Sequence, residues 1–384
     1  KDGGTSRVVI GRGVVARNQQ QQNSDEANTT NNKNNSNNTK SVIHMINISK
    51  ADKHFKELAL HPLIGEAVAK YAKSRYFSYG PANGTTEFRE AVARYYEEKR
   101  RTFVNPDFVF PTNSTAYGIY LACKAILNPG DEGIVFNPVD FLFKYSIEKV
   151  GGRAIPLSIP PGTDYTDFSE LEELITDKTK IICLCNPVNP TGKVFSRKEL
   201  EHLSRIAEKH NLVILSDEIW SDIVYPEFEF TSIASLSPEV RKRTITVHGF
   251  SKAYGLAGLR IGSVTTYTPE MHEKVFSNSL HASTVHGVSI LSEIAATTAL
   301  NECSYWLEDF LEHLTSQRDL IVRSLNSING ISCSTPQGCY VAFANIQELG
   351  LGSEELHQIL LEQGKVAVVP GLPKWFGSGA ANHI

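Results

Sequence analysis

Apolar residues recur along this chain with two different periods, and the alternation between them outlines a fold. Short strand-like runs occupy residues 133–136, 153–157, 181–185 and 212–215, and an alternating β-type run occupies 244–247. Between them, apolar residues return every three or four positions, the spacing of a helix with one face in a core. Leu200, Leu203, Ile206 and Ala207 form one such stripe, opened by the capping box Ser196-Arg197-Lys198-Glu199. Phe88, Ala91, Val92 and Tyr95 form another, with Thr85 placed to cap it and Glu87 and Glu90 at its positive end. The pattern also predicts a helix over 62–71, a strand at 107–110 and a helix near 141–149. A further helix opens at Asn113-Ser114-Thr115-Ala116 and stops at Asn128-Pro129-Gly130. Buried strands separated by amphipathic helices predict a three-layer α/β/α fold with a mostly parallel sheet.

Beyond Tyr267 the pattern changes. Residues 270–326 read as helices, with Trp306, Phe310, Leu314 and Leu320 facing a core. Residues 338–343 and 366–371 read as strands, and Ser353-Glu354-Glu355-Leu356 as the capped start of another helix. This predicts a second, smaller α+β domain. At the other end, residues 18–40 are almost entirely Gln, Asn, Ser and Thr with scattered charge, too little apolar surface to offset ordering entropy. The expected division is a low-complexity, disordered segment at 1–40 and an N-terminal part of the small domain at 41–78. A large domain follows at 79–270, then a linking helix and C-terminal small domain at 271–384.

Composition narrows the class. A chain of 384 residues with 41% apolar content can bury a large core, and a net charge of −4 leaves no basic footprint for nucleic acid. No apolar run approaches the length of a membrane span. Six cysteines show no CxxC pair or zinc spacing, so no metal site is expected. Cys183 and Cys185 lie two apart in a strand-like run and point to one face as small core residues. The six read as free thiols of a reducing compartment, which makes a cytoplasmic protein the expectation. The first residue is Lys, so a natural leader is open.

The candidate chemistry lies after the run at 244–247. There the chain reads His248-Gly249-Phe250-Ser251-Lys252-Ala253-Tyr254-Gly255-Leu256-Ala257-Gly258-Leu259-Arg260-Ile261-Gly262. A lysine at a strand end, in a tight and partly desolvated loop, can lose its proton and attack a carbonyl. An arginine eight positions on supplies the planar fork that suits a phosphate. One cofactor carries both an aldehyde and a phosphate, pyridoxal 5'-phosphate. Ser114 and Thr115 open a helix whose free N–H groups suit a phosphate as well. Asn189, Asp217 and Lys252 each fall just past a predicted strand end, where ligands sit in sheets of this kind. Singly, an Asp at a strand end is a cap and an Asn in an Asn-Pro loop is a turn former; the weight lies in their order.

From about residue 58 onward the chain resembles the fold-type I pyridoxal phosphate enzymes of the class I/II aminotransferase family. The motifs are Tyr79-Gly80-Pro81-Ala82-Asn83-Gly84, Asn186-Pro187-Val188-Asn189-Pro190-Thr191-Gly192, Ser216-Asp217-Glu218-Ile219, and Ser251-Lys252 with the later Gly258-Leu259-Arg260-Ile261-Gly262. The resemblance implies that Lys252 forms a Schiff base with the cofactor. Asp217 would pair with the ring nitrogen and Asn189 would bond the ring hydroxyl. Arg260 would bind the phosphate, with Ser114, Thr115 and Ser251 nearby. It further implies that Tyr79 reaches the phosphate of a neighbouring subunit, hence a homodimer with shared sites. The implied reaction moves an amino group between an amino acid and a 2-keto acid. β-Elimination by a cystathionine β-lyase-like enzyme is the alternative, and a non-catalytic binding protein on the same fold is a third.

Four positions depart from the family pattern. Asp140 falls where an aromatic ring stacks on the cofactor, with Phe141 beside it; either the register shifts by one or the stacking is lost. Trp220 stands where relatives have Tyr or His, and an indole can donate one N–H but accept no proton. Gly249 replaces a hydroxyl residue three before the lysine. The chain also stops just where the family's carboxylate-binding arginine is expected, and the substrate loop near Ile48-Ser49-Lys50 matches no motif.

Overall fold

A computed structural model describes residues 61–73 and 77–384. The low-complexity segment 1–40, the stretch 41–60 assigned to the small domain, and the loop near Lys50 lie outside the described residues.

Seven strands form one sheet: β1 (Val109–Thr112), β2 (Glu132–Asn137), β3 (Arg153–Ser158), β4 (Thr179–Cys185), β5 (Val213–Asp217), β6 (Thr244–Gly249) and β7 (Gly262–Thr265). They lie in the order β1-β7-β6-β5-β4-β2-β3. The five from β3 to β6 are parallel, while β7 runs antiparallel to both β6 and β1. The parallel strands need crossovers, and the sequence supplies them as α3 (Thr115–Ile126), α4 (Leu142–Lys149), α5 (Ser169–Leu174), α6 (Arg197–Lys209) and α7 (Pro238–Lys242), with α1 (Pro62–Ala72) and α2 (Thr86–Arg100) preceding. Central strands β2 and β6 are buried along their whole length because helices cover both faces; β3, at the edge, is mostly exposed or half-buried, with only Leu157 buried.

The caps predicted for α2, α3 and α6 hold. Ser114 Oγ accepts from the Tyr117 N–H, Thr85 Oγ1 from Phe88, and Ser196 makes both halves of its capping box with Glu199. Phe88, Ala91, Val92 and Tyr95 are all buried, as are Leu200, Leu203, Ile206 and Ala207, and Cys183 and Cys185.

Helices α8 (Pro269–Ser277), α9 (Ile290–Glu302) and α10 (Ser304–Asn326) follow, and α1 packs on α9. The chain closes with β8 (Ser332–Cys333), β9 (Ala344–Asn345), α11 (Ser353–Ile359) and α12 (Pro373–Phe376). Here several expectations need correction. The run 338–343 is not a strand: Cys339 has a φ of 64°, which breaks extension, and only Gly338 bridges, to Val224. Pairing begins later, between β8 and β9. Among the described residues, 366–371 find no strand partner; the Gly371 N–H goes to the His383 carbonyl instead. Leu320 is 37% exposed, whereas Phe310 and Leu314 are buried. The α11 cap position is Gly352, one before the predicted hydroxyl. The strand expected at 107–110 begins at Val109, because Pro106 opens a 3-10 turn.

The end of β2 is joined to the C-terminal segment. Asn137 Nδ2 donates to Ser378 Oγ at 3.0 Å, and its Oδ1 accepts from the Gly379 N–H at 2.9 Å. The Val139 N–H donates to the Phe376 carbonyl at 3.0 Å.

Candidate active site

Strand direction decides where chemistry can gather. β2, β4, β5 and β6 all end at the same edge of the sheet; β7, running the other way, starts there, and β1 ends there. The chain leaves β2 toward β3 on one side and leaves β4 toward β5 on the other, so a crevice opens between those two strand ends. A cavity of about 330 Å³ occupies this place. Ser114, Thr115, Asp140, Phe141, Asn189, Asp217, Trp220, Ser251 and Arg260 line it.

Eight of the ten residues singled out from the sequence therefore line one cavity. Lys252 follows lining residue Ser251, and its Nζ lies 5.0 Å from the ring centroid of Trp220, over the indole face. The amine is thus packed against the cavity wall. Trp220 is itself fixed edge-on by Tyr340, with centroids 4.6 Å apart. Tyr79 stands apart, 88% exposed and beside His286.

Each residue is delivered by local structure. Asp217 is the last residue of β5, and its Oδ1 accepts from the Ile219 N–H at 3.0 Å. Arg260 adopts a φ of 52° between a 3-10 turn and β7, and stays exposed at the mouth. Asn189 is buried, and its Nδ2 donates to Asp140 Oδ2 at 3.0 Å. Asp140 and Phe141 both line the cavity, so neither register is exclusive; Phe141 is 39% exposed and meets Tyr145 edge-on. Gly249 has a reason: a Cβ there would come within 2.3 Å of Thr115 Oγ1.

A buried group of charges next to these segments was given no role by the sequence. Asp222, five positions after Asp217, pairs with Arg100 of α2 and with His248 of β6. Burial alone would push the Asp222 carboxyl up, but Arg100 and His248 overcome it and hold the pKa at about 2. Asp222 comes just after the Ser216-Asp217-Glu218-Ile219 motif, yet nothing in the spacing pointed to Arg100, which comes from a helix more than a hundred residues earlier. Glu218 is buried between the hydroxyls of Ser216 and Ser232, and burial raises its pKa despite those bonds.

The description "Aminotransferase class I and II" matches this chain over residues 43–379. The chain belongs to that family. An aspartate aminotransferase of Streptomyces avermitilis is 32% identical over 320 residues, covering 80% of this chain and 78% of that one. An aspartate aminotransferase of Thermotoga maritima is 31% identical over 332 residues, covering 85% and 83%. Among solved structures, an aromatic aminotransferase from Pyrococcus horikoshii superposes with a TM-score of 0.79 at 26% identity, covering 84% and 86%. This aminotransferase uses pyridoxal 5'-phosphate to transfer an amino group between an amino acid and a 2-keto acid. Its fold is the mostly parallel α/β fold the strand pattern predicted. Among the described residues no helix is long and apolar enough to cross a membrane.

The cavity fits the cofactor. Thr115 Oγ1, at the N-terminus of the 12-residue α3, is buried without a hydrogen-bond partner, and a phosphate oxygen would supply one. A Cβ at Gly262 would come within 2.9 Å of the Thr115 backbone nitrogen, so this strand start is cut close around the same helix end. A carboxylate, an amide and a guanidinium complete a donor set suited to a pyridine ring bearing a hydroxyl and a phosphate.

Proposed function

We propose that Lys252 is the residue to which the cofactor is attached and by which protons are moved in this aminotransferase. The carrying observation is the meeting of residues from separate chain segments on one cavity, with the Lys252 amine against its indole wall. When bound, pyridoxal phosphate supplies an aldehyde for amines and a ring that takes up electron density from the substrate Cα. The Lys252 Nζ would accept the proton from Cα and hold it for return. The Asp217 carboxylate would pair with the ring nitrogen and keep it protonated. Asn189 donates to the ring hydroxyl. Arg260 supplies the fork for the phosphate, and Ser114, Thr115 and Ser251 add hydroxyl and N–H donors. Phe141 and Trp220 are the rings that exclude water from the cofactor's faces.

Tyr79 acts in a second copy of the chain. Its 88% exposure supports this, since a tyrosine serving its own cavity would be covered by it. The working assembly is thus a homodimer with shared sites. The large domain spans 79–270, and the smaller one combines α1 with 271–384; the packing of α1 on α9 supports that division. Aspartate is the first amino donor to try, because relatives above 30% identity are named for it.

The test is Lys252→Ala. It abolishes turnover, and borohydride no longer fixes the cofactor to the protein. A variant that kept both properties would overturn the assignment.

A further inference from the structure

Asp140 stands in the cavity where a ring was expected, and the structure gives it a different task. It follows β2 as Asn189 follows β4, so the two residues flank the crevice at neighbouring strand ends. Asp140 is 6% exposed, and burying a carboxylate is costly unless it is bonded. Its Oδ2 accepts from Asn189 Nδ2 at 3.0 Å and its Oδ1 from the Leu142 N–H at 3.3 Å. Its own N–H donates to the Asn189 carbonyl at 2.9 Å. Backbone and side chain thus tie the same two residues together.

The chemistry of the pair is directional. An ionised carboxylate only accepts, so the end of the Asn189 amide that faces it must be the NH2 group. One of the two amide hydrogens goes to Asp140, and the second is left for another acceptor.

We propose that Asp140 is a positioning residue that fixes the orientation of the Asn189 amide and, through it, the seat of the cofactor ring. The proposal rests on Asn189 being the contact to that ring.

A double-mutant cycle on the enzyme freed of cofactor separates the two ideas. The measured quantity is the dissociation constant for pyridoxal phosphate, with the absorbance spectrum of the loaded protein as a second readout. Asn189→Ala weakens binding about tenfold, the effect of losing one strong hydrogen bond. Asp140→Ala does the same in the native background but changes binding less than about threefold when Asn189 is already Ala. Asp140→Asn keeps an acceptor for the amide and stays within about threefold of the native enzyme, with its spectrum unchanged. Equal losses from Asp140→Ala in both backgrounds overturn the proposal, as does an Asp140→Asn variant as weak as Asn189→Ala. An Asn189→Ala variant that binds the cofactor normally instead removes the role given to Asn189 itself. Should Asp140→Ala fail to fold, Asp140→Asn against Asn189→Ala decides the matter alone.

Discussion

The Arg100 guanidinium and the Asp222 carboxylate meet at 2.6 Å inside the protein, with side-chain exposures of 12% and 5%. One comes from the last turn of α2 and the other from the segment after β5 that begins with Asp217. Ser221 Oγ accepts from the same guanidinium, and His248 faces the other carboxylate oxygen at 3.2 Å. The pair therefore holds the floor on which the Asp217 segment and the strand leading to Lys252 both rest.

Removing one partner of a buried pair leaves an uncompensated charge, at a cost of about 3–5 kcal/mol. Asp222→Ala is expected to lower thermal stability by that order. The sign with pH follows from the depressed carboxyl. Its stabilising contribution is present above the ordinary aspartate range and is lost as pH falls through about 2. Native protein should thus lose stability in that acid window, and Asp222→Ala should lose less there. Melting curves between neutral pH and pH 2 check this; parallel acid limbs would contradict it.

Gly262 lies where no side chain fits. A Cβ would press on the backbone of Thr115 and Ser114, the start of α3, which cannot swing aside as a side-chain tip can. Gly262→Ala should cost about 1–3 kcal/mol as overpacking strain. It should also weaken cofactor binding more than a matched core substitution far from the cavity, such as Leu203→Ala. Equal cofactor affinity in the two variants would count against the placement of the phosphate at this helix end.

Glu293 gives a pH effect of the opposite sign. It is 1% exposed on α9, accepts from the Thr85 N–H and hydroxyl through Oε2, and has no partner for Oε1. Burial raises its pKa, and the Thr85 bonds only partly pull it back. A carboxyl raised on folding contributes stability below the ordinary glutamate range and loses it as pH rises through the folded value. Glu293→Gln does not titrate. Its melting temperature should gain on the native protein as pH rises from about 4 to 8. A gap that is constant with pH would refute the assignment.

Much of the sheet was legible because its signals are local. The apolar runs of β2 and β4, the alternation of β6 and the caps at Ser114 and Ser196 need only neighbouring residues to be recognised. The cavity was legible for a related reason: a parallel sheet brings strand ends to one edge, so Asn189, Asp217 and Lys252 could be placed together before any coordinates. Non-local features stayed hidden. Arg100 meets Asp222 across 122 positions, and no period announces such a partner. The C-terminal runs misled because strand-like composition was present without a neighbouring strand to pair with. Asp140 looked like a lost ring until Asn189 was seen beside it.

The clasp at the end of β2 has a mechanical meaning. Three hydrogen bonds, two from the Asn137 side chain and one from Val139, rivet the 376–379 segment to the strand end just ahead of Asp140. Tugging on that segment therefore either drags the crevice wall along or snaps the rivets first. A displacement of residues 376–379 would thus be felt at Asp140 and, through its bond, at Asn189.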